Sequence, residues 1–321
     1  MEVRRHNAAF CAPCFLRHCR EQVRRAVDDH SMIDRGDKVL VAVSGGKDSL
    51  GLWDLLLELG YEAHGLYLGL GIGDYSDQSR EHASAYASRR GAPLRVLDIP
   101  GEYGFGIPGG AAAARRVPCS ACGLSKRHLF NRAALEGGYT VVATGHNLDD
   151  EAAVLLGNVL RWSTEYLGRQ LPVLPAASGF VRKVKPLIRL GEREMAAYCV
   201  LRGIDYIVEE CPMAAGNRHL GYKEALNAVE ERSPGSKAAF YLGFLERAAH
   251  RFSPDATAEQ ERLSPCTSCG APTTGRVCAF CRLVERATAA PARRPDAGAV
   301  PVSAPRVRGE PRPQRQREGG R

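Results

Sequence analysis

The chain has 321 residues, of which 44% are apolar. That is enough to bury a sizeable core and too much for a wholly disordered or fibrous protein. Forty-four basic residues oppose 36 acidic ones for a net +8, but nine arginines and three acids fall between Arg286 and Arg321. The rest balances 35 against 33, so the basic excess belongs to a tail and says little about a folded nucleic-acid-binding surface. No window approaches the roughly 18 apolar residues of a membrane span, and Met1–His6 carries no secretory h-region, so a cytoplasmic protein with no membrane association is expected.

In chain order, residues 1–35 form a segment bearing Cys11, Cys14 and Cys19 that runs into a charged helix, from Cys19 to about His30. Lys38–Val43 is an apolar, β-branched strand, followed by Ser44-Gly45-Gly46 and a helix from Ser49 to Leu59. A strand at Ala63–Leu70, a helix at Ser76–Arg90 and a strand at Leu94–Asp98 complete a βαβαβ rhythm. That rhythm implies an α/β fold with a doubly wound parallel sheet. Residues 100–118, rich in glycine, alanine and proline, read as a mobile loop. Helices at Leu124–Glu136, Asp149–Leu160 and Glu192–Arg202 follow, with strands at Thr140–Thr144 and Asp205–Glu209, the second running into Cys211-Pro212. Residues 222–252 read as two helices broken at Ser233-Pro234-Gly235. The expected organisation is a cysteine segment (1–35), a nucleotide domain (36–252), a four-cysteine module (262–285) and a tail (286–321) too poor in apolar residues to fold.

Ser44-Gly45-Gly46-Lys47-Asp48-Ser49 sits between the first strand and its helix. Two glycines let the backbone approach an anion, the amides at the helix N-terminus point at it, and Lys47 supplies a compact positive charge. The spacing is not that of a Walker A loop. The alternative is an ordinary βα turn capped by serine and aspartate. The motif is the signature of the PP-loop ATP pyrophosphatases, which adenylate a substrate oxygen and release pyrophosphate. Thr144-Gly145-His146-Asn147-Leu148-Asp149-Asp150-Glu151 opens a later helix. Its three acids suit the helix dipole, and beside a nucleotide they suit a magnesium ion or a proton.

Eleven cysteines, nine of them in tight groups, indicate metal ligation or redox chemistry in a reducing compartment rather than a disulfide framework. Cys119-x-x-Cys122 opens a helix, and Cys211 is expected at the same sheet edge. Three thiolates are one short of a closed zinc site. They are enough for a four-iron cluster with one open iron; a Cys119–Cys122 disulfide and a zinc with another fourth ligand remain rivals. Cys199 reads as core. Cys266-x2-Cys269-x8-Cys278-x2-Cys281 has the paired-knuckle arrangement of structural zinc. Cys11 and Cys14, with His18, Cys19 and His6 as further donors, are candidates for a second zinc.

These motifs, with Lys126, Arg202–Met213, Tyr222-Lys223-Glu224 and Pro234–Leu245, resemble the tRNA 2-thiouridine synthetases over about residues 11–283. That family includes T-loop 5-methyluridine 2-sulfurtransferases and cytoplasmic wobble-uridine thiolation proteins. The resemblance implies adenylation of the uridine 2-oxygen by ATP and its displacement by sulfur. It implies ATP and Mg2+ at Ser44–Ser49 with Gly145 and His146, and a 4Fe-4S cluster on Cys119, Cys122 and Cys211. Lys126 and Asp150 match positions with catalytic roles, although by spacing alone Lys126 is a solvated helix residue. It also implies Zn2+ on the four-cysteine module for docking tRNA, a ubiquitin-like thiocarboxylate sulfur carrier and a homodimer. The segment before Cys11 departs from the family, whose members carry a further Cys-pair knuckle there. Cytidine thiolation, lysidine formation and a non-catalytic zinc RNA-binding or sulfur-relay scaffold are the alternatives; lysidine formation has no use for the cluster cysteines.

Overall fold

The computed structural model of the chain describes residues 1–214, 218–252 and 263–289. The chain separates into one unit from Met1 to Ala289 and a second from Ala290 to Arg321. The linker expected after Phe252 falls largely, and the tail beyond Ala289 wholly, outside the described residues.

A small antiparallel hairpin, β1 (Glu2–Val3) and β2 (Ala8–Ala9), precedes helix α1 (Ala12–Asp29). Strand β3 (Lys38–Val43) leads through the Ser44–Gly46 turn into α2 (Lys47–Glu58). Then come β4 (Glu62–Gly69), α3 (Gly73–Arg90), β5 (Leu94–Asp98), the short helices α4 (Ile99–Tyr103) and α5 (Ile107–Ala113), and the long α6 (Pro118–Glu136). Strand β6 (Val141–Thr144), α7 (Leu148–Leu160), α8 (Thr164–Leu167), β7 (Val173–Leu174), β8 (Arg182–Val184) and α9 (Glu192–Arg202) complete the sheet and its cover. Helices α10 (Arg218–Arg232) and α11 (Ser236–Arg247) pack on α7. The last module is the hairpin β9 (Ser264–Pro265) and β10 (Pro272–Thr273) with α12 (Ala279–Ala289).

The six-stranded sheet has the order β5-β4-β3-β6-β8-β7, parallel except for the edge strand β7. The unbroken apolar run of β3 follows from burial on both faces. Val39, Val41 and Val43 pack with α1, α2, α7, α9 and α11, whereas Leu40 joins the opposite core with α5, α6 and α12. From β3 the chain winds outward to β5 and then returns to β6 on the other side. The C-terminal ends of β3 and β6 therefore flank the switch point where such sheets collect ligands.

The structure corrects the sequence reading in four places. Residues 100–118 are not a loop: Pro100 and Pro108 begin two helices, and the Asp98 carboxylate caps the first by accepting from Gly101 N–H at 2.9 Å. Proline is preorganised for a first helical turn and the following alanines propagate it, so Gly and Pro content misled. Residues 205–209 form no strand, because Ile207 N–H bonds Gly45 O at 3.0 Å instead of a ladder partner. The sheet position beside β6 is taken by β8, which is too short to show a period in sequence. Helix α1 begins at Ala12 rather than Cys19, with Pro13 in its first turn. Arg286, expected in the tail, lies inside α12.

Candidate functional site

Gly45 holds φ +78°, and a Cβ there would lie 2.3 Å from Ser79 O. A side chain would thus meet both strain and backbone, and only glycine lets the loop lie flat on α3. Ser49 Oγ accepts from Ser44 N–H and donates to Gly46 O, both at 3.0 Å, closing the loop over the start of α2. The second half of the site is pressed onto the first: a Cβ at Gly145 would come within 2.9 Å of Asp48 C and Ser49 N. Asn147 caps α7 by accepting from Asp150 N–H, while Asp150 accepts from Asn147 N–H and Asn147 Nδ2 donates to Asp48 Oδ1 at 3.1 Å. Burial pushes the Asp48 carboxyl up, against Lys47 and Asn147.

Lys47 Nζ lies 2.9 Å from Glu192 and 3.2 Å from Asp48. Burial alone would lower its pKa, but the two carboxylates outweigh it and keep the ammonium charged. Lys223 from α10 joins the cluster, 2.6 Å from Asp150 and 3.3 Å from Glu192.

The three acids opening α7 separate by environment. Asp149 is buried, accepts from Glu192 N–H at 2.9 Å and pairs with Lys237. Glu151 is buried among Lys185 (2.7 Å), Gln170 (2.9 Å) and Tyr241 (3.2 Å). Both hold helices together. Asp150, half-buried, alone faces the phosphate-loop side.

The three cysteines converge on the same edge. Cys119 Sγ donates to Met213 O at 3.2 Å, two residues past Cys211. Burial raises the Cys122 thiol, Lys126 opposes that through its charge and a hydrogen bond, and the Cys211 and Cys119 charges add to the rise. Tyr75, in the first turn of α3, is pushed up to about 12 by burial, with Cys211 and Cys122 beside it. Lys126, one helical turn after Cys122, also acts electrostatically on His146, whose pKa is lowered chiefly by its crowded surroundings at the rim. His146 Nδ1 bonds Thr144 Oγ1 at 2.9 Å. The three thiols do not all lie within 4.8 Å of one another. Three thiolates are one short of a closed tetrahedral site for a lone ion, whereas the irons of a cluster are held by cysteine thiolates.

The C-terminal cysteines meet the tetrahedral spacing. Cys266 and Cys281 sulfurs are 3.9 Å apart and Cys269 and Cys278 sulfurs 3.7 Å, spacings at which four thiolates could hold a tetrahedral metal ion. Burial would raise Cys266, but the N–H groups of Cys278, Ser268 and Cys269 outweigh it and bring the thiol down to about 6, ready to ligate. His128 of α6 stacks on Phe280 at 4.3 Å, and burial with Arg132 lowers the imidazole to about 4, so it docks the module uncharged. At the other terminus Cys11 and Cys14 interact at the start of α1, lowering Cys11. No third candidate donor joins them among the described residues. Cys19 is wholly buried, and His6 and His18 turn to Glu194 instead.

The sequence reading missed Glu192, Lys223 and Ile207 as parts of this site, since no local pattern announces partners as far apart as the 31 residues of Lys223–Glu192 or the 145 of Lys47–Glu192. Asn147 stood inside a noted motif, and its capping position was its only signal.

A family profile of the PP-loop domain matches residues 16–215. The tRNA-5-methyluridine(54) 2-sulfurtransferase of Thermus thermophilus is 52% identical, over 88% of this chain and 87% of its own length. The cytoplasmic tRNA 2-thiolation protein 1 of Caenorhabditis elegans is 30% identical, over 87% and 75% respectively. The U34-tRNA thiolase NcsA of Methanococcus maripaludis, solved with its 4Fe-4S cluster, shares the fold with a TM-score of 0.69 at 24% identity, covering 78% of this chain and 84% of that one.

Proposed function

The chain belongs to the PP-loop family that includes the tRNA 2-sulfurtransferases, and from that premise we propose that it is an ATP-dependent enzyme converting 5-methyluridine at position 54 of tRNA to its 2-thio form. The greater identity to the position-54 relative than to the cytoplasmic thiolation protein supports that nucleotide. ATP lies with its phosphates on the Gly45–Ser49 amides at the N-terminus of α2, its charge offset by Lys47. Asp48, held by Asn147 Nδ2, would be an oxygen donor for Mg2+.

The uridine 2-oxygen attacks the α-phosphorus and pyrophosphate leaves. As the uracil N3 proton departs, Asp150 accepts it, its position held by Lys223. Sulfur at the sulfide level then forms the bond to C2, the C2–oxygen bond breaks, AMP leaves and N3 regains its proton. Lys126 offsets negative charge on the departing oxygen. Cys119, Cys122 and Cys211 fit a 4Fe-4S cluster, which when bound supplies an iron free of protein ligands to carry sulfur. Cys266, Cys269, Cys278 and Cys281 would hold Zn2+ in a module that docks tRNA, and the sulfur would arrive on a ubiquitin-like thiocarboxylate carrier.

The observation carrying this reading is geometric: Gly145 is pressed against Asp48 and Ser49 of the phosphate loop, and the Cys119 thiol bonds Met213 O two residues past Cys211, a link between nucleotide loop and cysteines. An ordinary nucleotide-binding scaffold has no need of that link. The test measures ATP binding and 2-thiouridine in tRNA for Asp48→Ala and Lys126→Ala. Asp48→Ala should lose both, whereas Lys126→Ala should bind ATP and lose product by about 100-fold or more. Product at the wild-type level from Asp48→Ala would overturn the enzyme reading in favour of a scaffold.

A further inference from the structure

The N-terminal hairpin turns through Arg4–His6, with Asn7 closing it at φ +46°. This fold-back sets His6 edge-on to His18 of α1, ring centroids 5.1 Å apart, and both beside Glu194 in the first turn of α9. His18 Nε2 lies 3.3 Å from Glu194 Oε1, with the two side chains 11% and 7% exposed. One donor atom from each of the three residues falls within 4.8 Å of the others. None of them takes part in the chemistry proposed above. We propose that His6, His18 and Glu194 form a divalent-metal site for a zinc-like ion, which ties the N-terminal hairpin and α1 to α9.

Two imidazoles and a carboxylate are the donor set that borderline ions select, and three protein ligands leave a fourth position for water. Bonds of about 2.0–2.1 Å to a tetrahedral ion separate neighbouring donors by about 3.3–3.4 Å. The His18–Glu194 pair already stands at that spacing. The two oxygens of Glu194 divide the work: Oε2 accepts from Arg5 at 2.7 Å and from Gly191 N–H at 2.8 Å, leaving Oε1 for the ion. A ligating carboxylate fixed in this way by outer partners is preorganised. His18 is held in turn by Phe10, stacked at 4.8 Å. The Arg5 guanidinium offsets one negative charge, so this site binds more weakly than four thiolates and empties first under a chelator. The reading differs from a zinc on Cys11 and Cys14, because its ligands are nitrogen and oxygen and include a residue of α9.

The test uses the full chain exchanged into zinc, with zinc per chain counted by mass spectrometry and its ligands read by X-ray absorption at the zinc edge, which is blind to iron. The wild-type protein should hold a second equivalent beyond the four-cysteine module, adding a shell at about 2.0–2.1 Å to the sulfur shell at about 2.3 Å. His18→Phe preserves the ring against Phe10 and should lose both the second equivalent and the short shell, leaving the sulfur shell intact. Should His18→Phe fail to fold, His6→Ala at an exposed position must give the same loss. A single equivalent in the wild type, retention of the second in these variants, or a second zinc bound through sulfur would each overturn the proposal.

Discussion

At the residue scale, the strongest demands fall where charges are buried. Asp54 of α2 accepts from Tyr198 (2.6 Å), Arg202 (2.8 Å) and Tyr86 (3.0 Å), with Arg90 at 3.2 Å. Burial alone would raise its carboxyl, but Arg202 and Tyr198 outweigh it and the pKa falls below the ordinary value. A depressed folded pKa contributes stability that is fully present above the unfolded value of about 3.9 and is lost as pH drops through the folded value. Denaturant unfolding at successive pH values should therefore show a loss below about pH 4 that Asp54→Asn lacks. At neutral pH Asp54→Asn should cost about 2–3 kcal/mol, less than a fully buried pair because Arg90 and Arg202 keep some contact with water. A variant with the wild-type acid profile would show that the network contributes nothing.

At the scale of elements, α7 separates architecture from chemistry within a single turn. Asp149 neutralises Lys237 of α11 and accepts from the first N–H of α9, so it joins three helices. Asp149→Ala leaves a buried ammonium unpaired and should cost about 3–5 kcal/mol, read as a large drop in the thermal midpoint. Asp150→Ala releases the partly exposed Lys223 and half of the α7 capping box and should shift stability by about 1–2 kcal/mol, while thiolation falls by about 100-fold or more. If both variants lost stability alike, the first turn of α7 would be structural throughout. The dipole argument from sequence explained why acids stand there, but a one-dimensional pattern does not reveal which acid meets a lysine from a distant helix.

At the scale of the whole molecule, the four-cysteine module is part of a core rather than an appendage, since Cys266, Cys278, Phe280 and Leu283 are buried with residues of α5 and α6. Stripping the proposed zinc with a chelator should therefore raise amide exchange in residues 263–289 and in α5 and α6. It should spare α2, whose Leu52 and Leu55 pack in the other core. Unchanged exchange in α6 would mean that the module docks without its metal. The phosphate loop, the parallel β3–β4–β5 array and the four-cysteine knuckles were legible in the sequence because each is a local pattern: a period, a tight turn or a short spacing. Cys211 was placed at the right edge for the wrong reason, since the chain reaches it through the Ile207–Gly45 hydrogen bond and not along a strand. Sequence alone determined the chemistry-bearing motifs and the layer order, whose causes lie within a few residues. Only the tertiary structure decided which acids are structural, that Glu192 and Lys223 pair with Lys47 and Asp150 beside the glycine loop, and that His6 and His18 meet Glu194 rather than Cys11 and Cys14. Those outcomes depend on contacts between residues far apart in the chain, which form only when the helices pack.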